Sequence, residues 1–94
     1  MASVHLTISG IVQGVGYRYW LSRRARERDL HGWVRNRRDG TVEALVAGEE
    51  GAVDEFVELC RSGGPPGAMI SELTVEVASV EEEITGFSIL PDAE

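Results

Sequence analysis

The order in which apolar periodicities follow one another is the feature that most restricts how this chain can fold. Val4, Leu6 and Ile8 alternate with His5, Thr7 and Ser9, the period of two that marks a half-buried strand. Gly10 ends that run. Tyr17, Leu21 and Ala25 then recur every fourth residue and predict a helix over Tyr17 to Asp29, with Arg23, Arg24, Arg26 and Arg28 on its solvated side. His31 to Arg37 and Thr41 to Ala47 are strand-like runs around Arg38-Asp39-Gly40, and an Asp-Gly pair in that setting predicts an antiparallel hairpin. Val53, Phe56, Val57 and Cys60 follow helical spacing within Glu50 to Ser62, and Gly63-Gly64-Pro65-Pro66-Gly67 stops that helix. Leu73, Val75 and Val77 alternate with Thr74, Glu76 and Ala78 in a fourth strand. Phe87-Ser88-Ile89-Leu90 makes a short final one, and Glu81-Glu82-Glu83 between them reads as a solvated turn.

Strand, helix, strand, strand, helix, strand is the split βαβ order, and right-handed crossovers place both helices on one side of the sheet. The expected architecture is α+β, a ferredoxin-like βαββαβ sandwich with an antiparallel sheet and two helices on one face. A chain of 94 residues suffices for one core and is short for two, so residues 1 to 94 are expected to form a single domain. A hydrophobic share of 43% with 27% charged residues excludes a disordered or membrane-spanning chain.

The formal net charge of −7 argues against a nucleic-acid partner, because binding a phosphate backbone relies on positive potential. The charge is unevenly distributed. Residues 1 to 47 carry eight of the nine arginines against four acids, net +4, whereas residues 48 to 94 carry one arginine against twelve acids, net −11. An anionic ligand is therefore expected in the first half. The single cysteine, Cys60, has no partner for a disulfide or a CxxC metal site and reads as a small buried side chain. His5 and His31 show no metal-ligand spacing and read as ordinary strand or loop histidines. Trp20 and Trp33 read as packing residues. The N-terminus lacks the basic start and unbroken apolar stretch of a secretory signal, which makes a cytoplasmic location the expectation.

Gly10-Ile11-Val12-Gln13-Gly14-Val15-Gly16-Tyr17-Arg18 joins the first strand to the first helix. A glycine-rich loop at a helix N-terminus is a natural anion cradle, since backbone N–H groups converge there and the helix dipole is positive. Arg18 in the first turn can add a forked, charge-assisted contact. The loop has neither the GxxxxGK[ST] of nucleotide-binding P-loops nor the GxGxxG of dinucleotide sites, so neither ligand is implied.

These nine residues resemble, without a mismatch, the G-x-V-Q-G-V-x-[FY]-R signature of the acylphosphatase family. A second signature of that family, G-[FYW]-[AVC]-x-N-x-x-x-G-x-V-x-x-x-x-x-G, is similar to Gly32-Trp33-Val34-Arg35-Asn36 followed by Gly40, Val42 and Gly48. The resemblance extends over essentially the whole chain. It implies hydrolysis of the carboxyl–phosphate bond of a small-molecule acyl phosphate to a carboxylate and inorganic phosphate, without metal or organic cofactor. Within it Arg18 matches the phosphate-binding catalytic arginine and Asn36 the asparagine that orients the attacking water. The loop Gln13, Gly14, Val15, Gly16, Tyr17 and Arg18 matches the phosphate cradle. A monomer without nucleic-acid or membrane partner goes with this reading. Two other functions stay in view: an RNA-binding module, disfavoured because Val4 to Ser9 and Thr41 to Ala47 contain no aromatic residue for base stacking, and a regulatory domain that binds an anion without turning it over.

Overall fold

The computed structural model describes residues 1–79 and 84–93, so the turn expected at Glu81-Glu82-Glu83 lies outside the described residues. The periodic segments become seven elements in chain order: β1 (Ala2–Ile11), α1 (Tyr17–Glu27), β2 (His31–Asn36), β3 (Val42–Gly48), α2 (Glu50–Ser62), β4 (Met69–Val77) and β5 (Phe87–Ile89). The strands form one sheet in the order β4-β1-β3-β2-β5. β1, β2, β3 and β4 pair antiparallel, as their patterning implies. The expected all-antiparallel sheet is extended by β5, which lies parallel to β2 with Gly32 opposite Phe87 and Val34 opposite Ile89. β4 points opposite to β2, so a strand that reverses after β4 and joins the free edge of β2 runs parallel to it.

α1 lies over β2 and β5, and α2 over β1, β3 and β4. Between helices and sheet, Leu6, Ile8, Val34, Val42, Ala44 and Val46 meet Leu21 and Ala25 of α1 and Phe56 and Cys60 of α2, all fully buried. Removal of each larger apolar side chain from water contributes roughly 1.5–3 kcal/mol, which makes this layer the main source of stability. Cys60 is the small buried side chain its context suggested; burial pushes its thiol up to about 12, against smaller opposing effects of Tyr17 and Arg28.

Element ends depart from the periodicity where a local backbone preference takes over. α1 stops at Glu27, two residues early, because Asp29 adopts the left-handed conformation (φ 56°) while the Leu30 N–H returns to the Ala25 carbonyl. β4 begins at Met69, four residues before its alternation becomes regular, because Ile11 and Gly10 of β1 offer pairing partners past a bulge at Ser9/Gly10. Of its expected inward residues only Leu73 is buried. Val77 is 93% exposed at the end of this edge strand. Arg26, expected to be merely solvated, donates through Nε and Nη2 to the Phe87 carbonyl at 3.2 and 2.8 Å and fastens the three-residue β5 to α1.

The open face of the sheet carries a polar cluster instead of a helix. Arg35 Nε donates to Glu43 Oε1 at 2.6 Å, His5 Nε2 lies 2.6 Å from Glu43 Oε2, and the Arg35 guanidinium stacks over Trp33 at 4.9 Å. Burial pushes the Glu43 carboxyl up, but the hydrogen bonds and charges of Arg35 and His5 outweigh it and hold the group below the usual carboxylate range. A depressed acid stabilises the fold above its unfolded pKa, and that stabilisation is lost as pH falls through the lower folded value. Glu43→Gln is therefore expected to cost about 1–2 kcal/mol at neutral pH. Urea unfolding should show the gap to the parent protein closing below about pH 4; a gap that stays constant down to about pH 3 would contradict this assignment.

Candidate active site

The loop after β1 owes its shape to two glycines. Gly14 and Gly16 have φ of 76° and 79°, a region other residues enter only at a cost, and Gly16 is the N-cap of α1. Among the described residues no side chain caps this helix start and its first turn contains no acid, an arrangement that can receive an anion at its leading N–H groups. Gln13 fixes the loop from the other side. Its Nε2 donates to the carbonyls of Arg37 and Thr41 at 2.8 and 2.9 Å, binding the loop to the β2–β3 hairpin.

Asn36 arrives at this loop through strand register. β1 and β2 both flank β3 and run in the same direction, and Val42 of β3 faces Ile8 on one side and Asn36 on the other. The end of β1 that feeds the loop and the end of β2 that carries Asn36 are therefore about 10 Å apart, two strand spacings. Asn36, Arg18, Gly14, Gly16 and Tyr17 line one cleft of about 210 Å³ together with Val12, Tyr19 and Ile89. Asn36 does not serve the neighbouring turn. It is 8% exposed, and its Oδ1 is buried without a hydrogen-bond partner among the described residues. A buried acceptor left unpaired costs about 1–3 kcal/mol, so this oxygen is suited to a donor entering the cleft.

Arg18 reaches the cleft from the first turn of α1. Its Nη1 lies 3.2 Å from Asp92 Oδ1 in the segment after β5, an ion pair open to solvent on both sides. That segment is docked along β2 by Leu90 N–H to the Val34 carbonyl (2.9 Å) and Ala93 N–H to the Asn36 carbonyl (2.8 Å). The Tyr17 side chain points inward, buried, with its ring 5.5 Å from Trp20; only its backbone can face an anion. The Gln13 and Val15 side chains stand outside the cleft lining, Gln13 committed to the hairpin and Val15 packed against the core.

Tyr19, Ile89 and Asp92 are the cleft neighbours that sequence reasoning missed, and Trp20 and Trp33 do not line the cleft. Tyr19 was legible only in part: it sits one position beyond Arg18, but off the buried stripe. A larger cleft of about 280 Å³ is bordered by Arg35, Arg37, Arg38, Asp39, Glu43 and Ala93. It has no glycine loop or helix N-terminus, and both carboxylates within it are already committed, Glu43 to Arg35 and His5 and Asp39 to Thr41. Among the described residues no three His, Cys, Asp or Glu side chains gather closely enough to hold a metal ion.

A glycine loop at a helix start, an arginine in the first turn and an asparagine at the end of β2, two strands from β1, can be compared with known proteins. A model of the acylphosphatase family matches residues 4–89. The chain belongs to the acylphosphatase family. It is 51% identical to an acylphosphatase of Acidiphilium cryptum over 88% of this chain and 90% of that one. It is 47% identical to an acylphosphatase of Rhodospirillum rubrum over 97% and 98%. The crystal structure of acylphosphatase from Bacillus subtilis superposes with a TM-score of 0.90 at 39% identity, covering 96% of this chain and 99% of that one. The acylphosphatase fold and activity follow: the chain is a hydrolase acting on the carboxyl–phosphate bond of acyl phosphates, with a carboxylate and inorganic phosphate as products.

Gly16→Ala separates backbone conformation from crowding in this acylphosphatase, because an added Cβ meets no atom of the described residues beyond its chain neighbours within 4 Å while φ stays unfavourable. The expected loss is about 1–2 kcal/mol of stability in urea unfolding, accompanied by weaker protection by inorganic phosphate. A variant as stable and as phosphate-responsive as the parent would show that the left-handed cap is dispensable.

Proposed function

We propose that the amides of the loop Gln13, Gly14, Val15, Gly16, Tyr17 and Arg18, with the Arg18 guanidinium, bind the phosphoryl group of an acyl phosphate while Asn36 orients the attacking water. The observation that carries this reading is the shared cleft: the uncapped helix start, Arg18 and the unpartnered Asn36 oxygen border the same space. Asp92 occupies one guanidinium nitrogen, and among the described residues the remaining N–H donors of Arg18 have no other acceptor, which leaves them for phosphoryl oxygens. Asn36 Oδ1 accepts from the water and so directs a lone pair at phosphorus.

The reaction needs little else from the protein. The water oxygen bonds to phosphorus, the bond from phosphorus to the acyl oxygen breaks, and its electron pair leaves as a carboxylate. Because a carboxylate is a good leaving group, no general acid is required. The carboxamide of Asn36 is no base, so the water proton passes to a phosphoryl oxygen of the substrate. Phosphoryl transfer of this kind relies on positioning and on stabilising charge over the equatorial oxygens, which amides and an arginine provide. Tyr17 and Cys60 supply no nucleophile, since burial pushes both the phenol and the thiol up. In the same reading residues 1 to 94 act as one acylphosphatase-like domain, monomeric and cytoplasmic, without metal, organic cofactor, nucleic-acid or membrane partner. The net charge of −7 supports the absence of nucleic-acid binding, and no helix among the described residues is long and apolar enough to cross a membrane.

Phosphate release from acetyl and benzoyl phosphate tests these roles. Arg18→Ala should lose activity and phosphate affinity together, and Arg18→Lys should restore little because an ammonium has no fork. Asn36→Ala should keep its inhibition constant for inorganic phosphate and lose on the order of a hundredfold in kcat, the scale of deleting one positioned polar group. An Arg18→Ala enzyme as active as the parent, or an Asn36→Ala enzyme impaired only in phosphate binding, would overturn the respective role. With Asn36 neutral and no titrating base, kcat should be nearly flat around pH 7; a steep ionisation there, or inactivation by EDTA, would point to a different mechanism.

A further inference from the structure

The lining of the cleft divides by chemistry. Gly14, Gly16, Arg18 and Asn36 present the polar groups assigned above to phosphate and water, and Val12 and Tyr17 are buried beneath them. Two side chains remain for the other end of a substrate. Tyr19, next to Arg18 on α1, is 63% exposed, and Ile89, on β5 beside Val34, is 42% exposed. Both border the cleft although neither belongs to the core. An aromatic ring and a branched aliphatic chain held partly in water beside a phosphate site gain by being covered with a flat apolar group. The volume of about 210 Å³, below the roughly 300–1,000 Å³ of pockets for drug-sized ligands, gives room for about one ring beside the phosphate.

We infer that Tyr19 and Ile89 form the acyl subsite of this acylphosphatase and select substrates whose acyl group is small, uncharged and apolar, aromatic acyl phosphates above all. The inference rests on the phosphate site proposed above. It makes Tyr19 and Ile89 specificity residues: they act on the acyl group, whereas Arg18 acts on the phosphoryl group and Asn36 on the attacking water. Neither side chain supports the fold through burial, so both can be changed without opening a cavity in the core.

The test is the ratio of kcat/KM for benzoyl phosphate over acetyl phosphate, measured in the parent and in Tyr19→Ser, Tyr19→Phe and Ile89→Ala. Comparing ratios cancels the different intrinsic reactivity of the two anhydrides. Tyr19→Ser is expected to lower the ratio about tenfold, the effect of losing modest apolar contact in a specificity pocket. Ile89→Ala should lower it by a smaller factor, Tyr19→Phe should retain it, and the inhibition constant of inorganic phosphate should stay put in all three. Ratios unchanged in both Tyr19→Ser and Ile89→Ala would overturn the subsite while leaving the hydrolase intact. A parent enzyme that releases phosphate from neither compound would instead remove the activity reading, and the subsite with it.

Discussion

The arrangement depends on β3 lying between β1 and β2. Two strands that both pair antiparallel with a third run in the same direction, so whatever follows β1 and whatever ends β2 meet at one end of the sheet. In this chain those are the glycine loop and Asn36, set in register through their shared neighbour Val42. Backbone hydrogen bonds fix the separation to two strand spacings, a tolerance that flexible loops alone could not hold. The two Gln13 hydrogen bonds then join loop and hairpin, so that the loop amides and Asn36, the proposed anion donors and water acceptor, are held together.

Charge follows the same division. An acidic protein can still attract a doubly negative substrate when local donors are organised around it, because close oriented amides and one guanidinium act over shorter distances than the screened net charge. The arginine-rich first half supplies the glycine loop, Arg18 and Asn36, and the acidic second half forms α2, β4, β5 and the segment carrying Asp92. Asp92 meets Arg18 in an exposed pair, the kind worth little in water, so this contact would be a modest barrier to a phosphoryl group bound as proposed.

Much of the fold was legible because it rests on local rules. α2 runs from Glu50 to Ser62 as its apolar spacing indicates, and the hairpin turns at Asp39-Gly40, where Asp39 Oδ1 accepts from the Thr41 N–H and hydroxyl. Where a neighbour in space decided the outcome, periodicity fell short. Met69 to Glu72 have no regular alternation and are strand only because β1 continues beside them. β5 is three residues long and owes its place to Arg26, His31 and Gly32, which bond the Phe87 carbonyl and both backbone groups of Gly86. Arg26 looked like any other solvated arginine of α1 because its acceptor lies sixty-one residues away.

The sequence by itself determined the glycine loop, the identities of Arg18 and Asn36 and membership of the acylphosphatase family, because these are matters of residue type at fixed spacing. It determined both helices and the antiparallel part of the sheet through apolar period. Tertiary structure alone decided that Tyr19 and Ile89 border the cleft, that Trp20 and Trp33 do not, that Asp92 touches Arg18 and that β5 runs parallel to β2. The physical reason is that exposed side chains leave no periodic trace: their roles come from which distant segment is packed alongside, and that is set by strand order, not by neighbours in the chain.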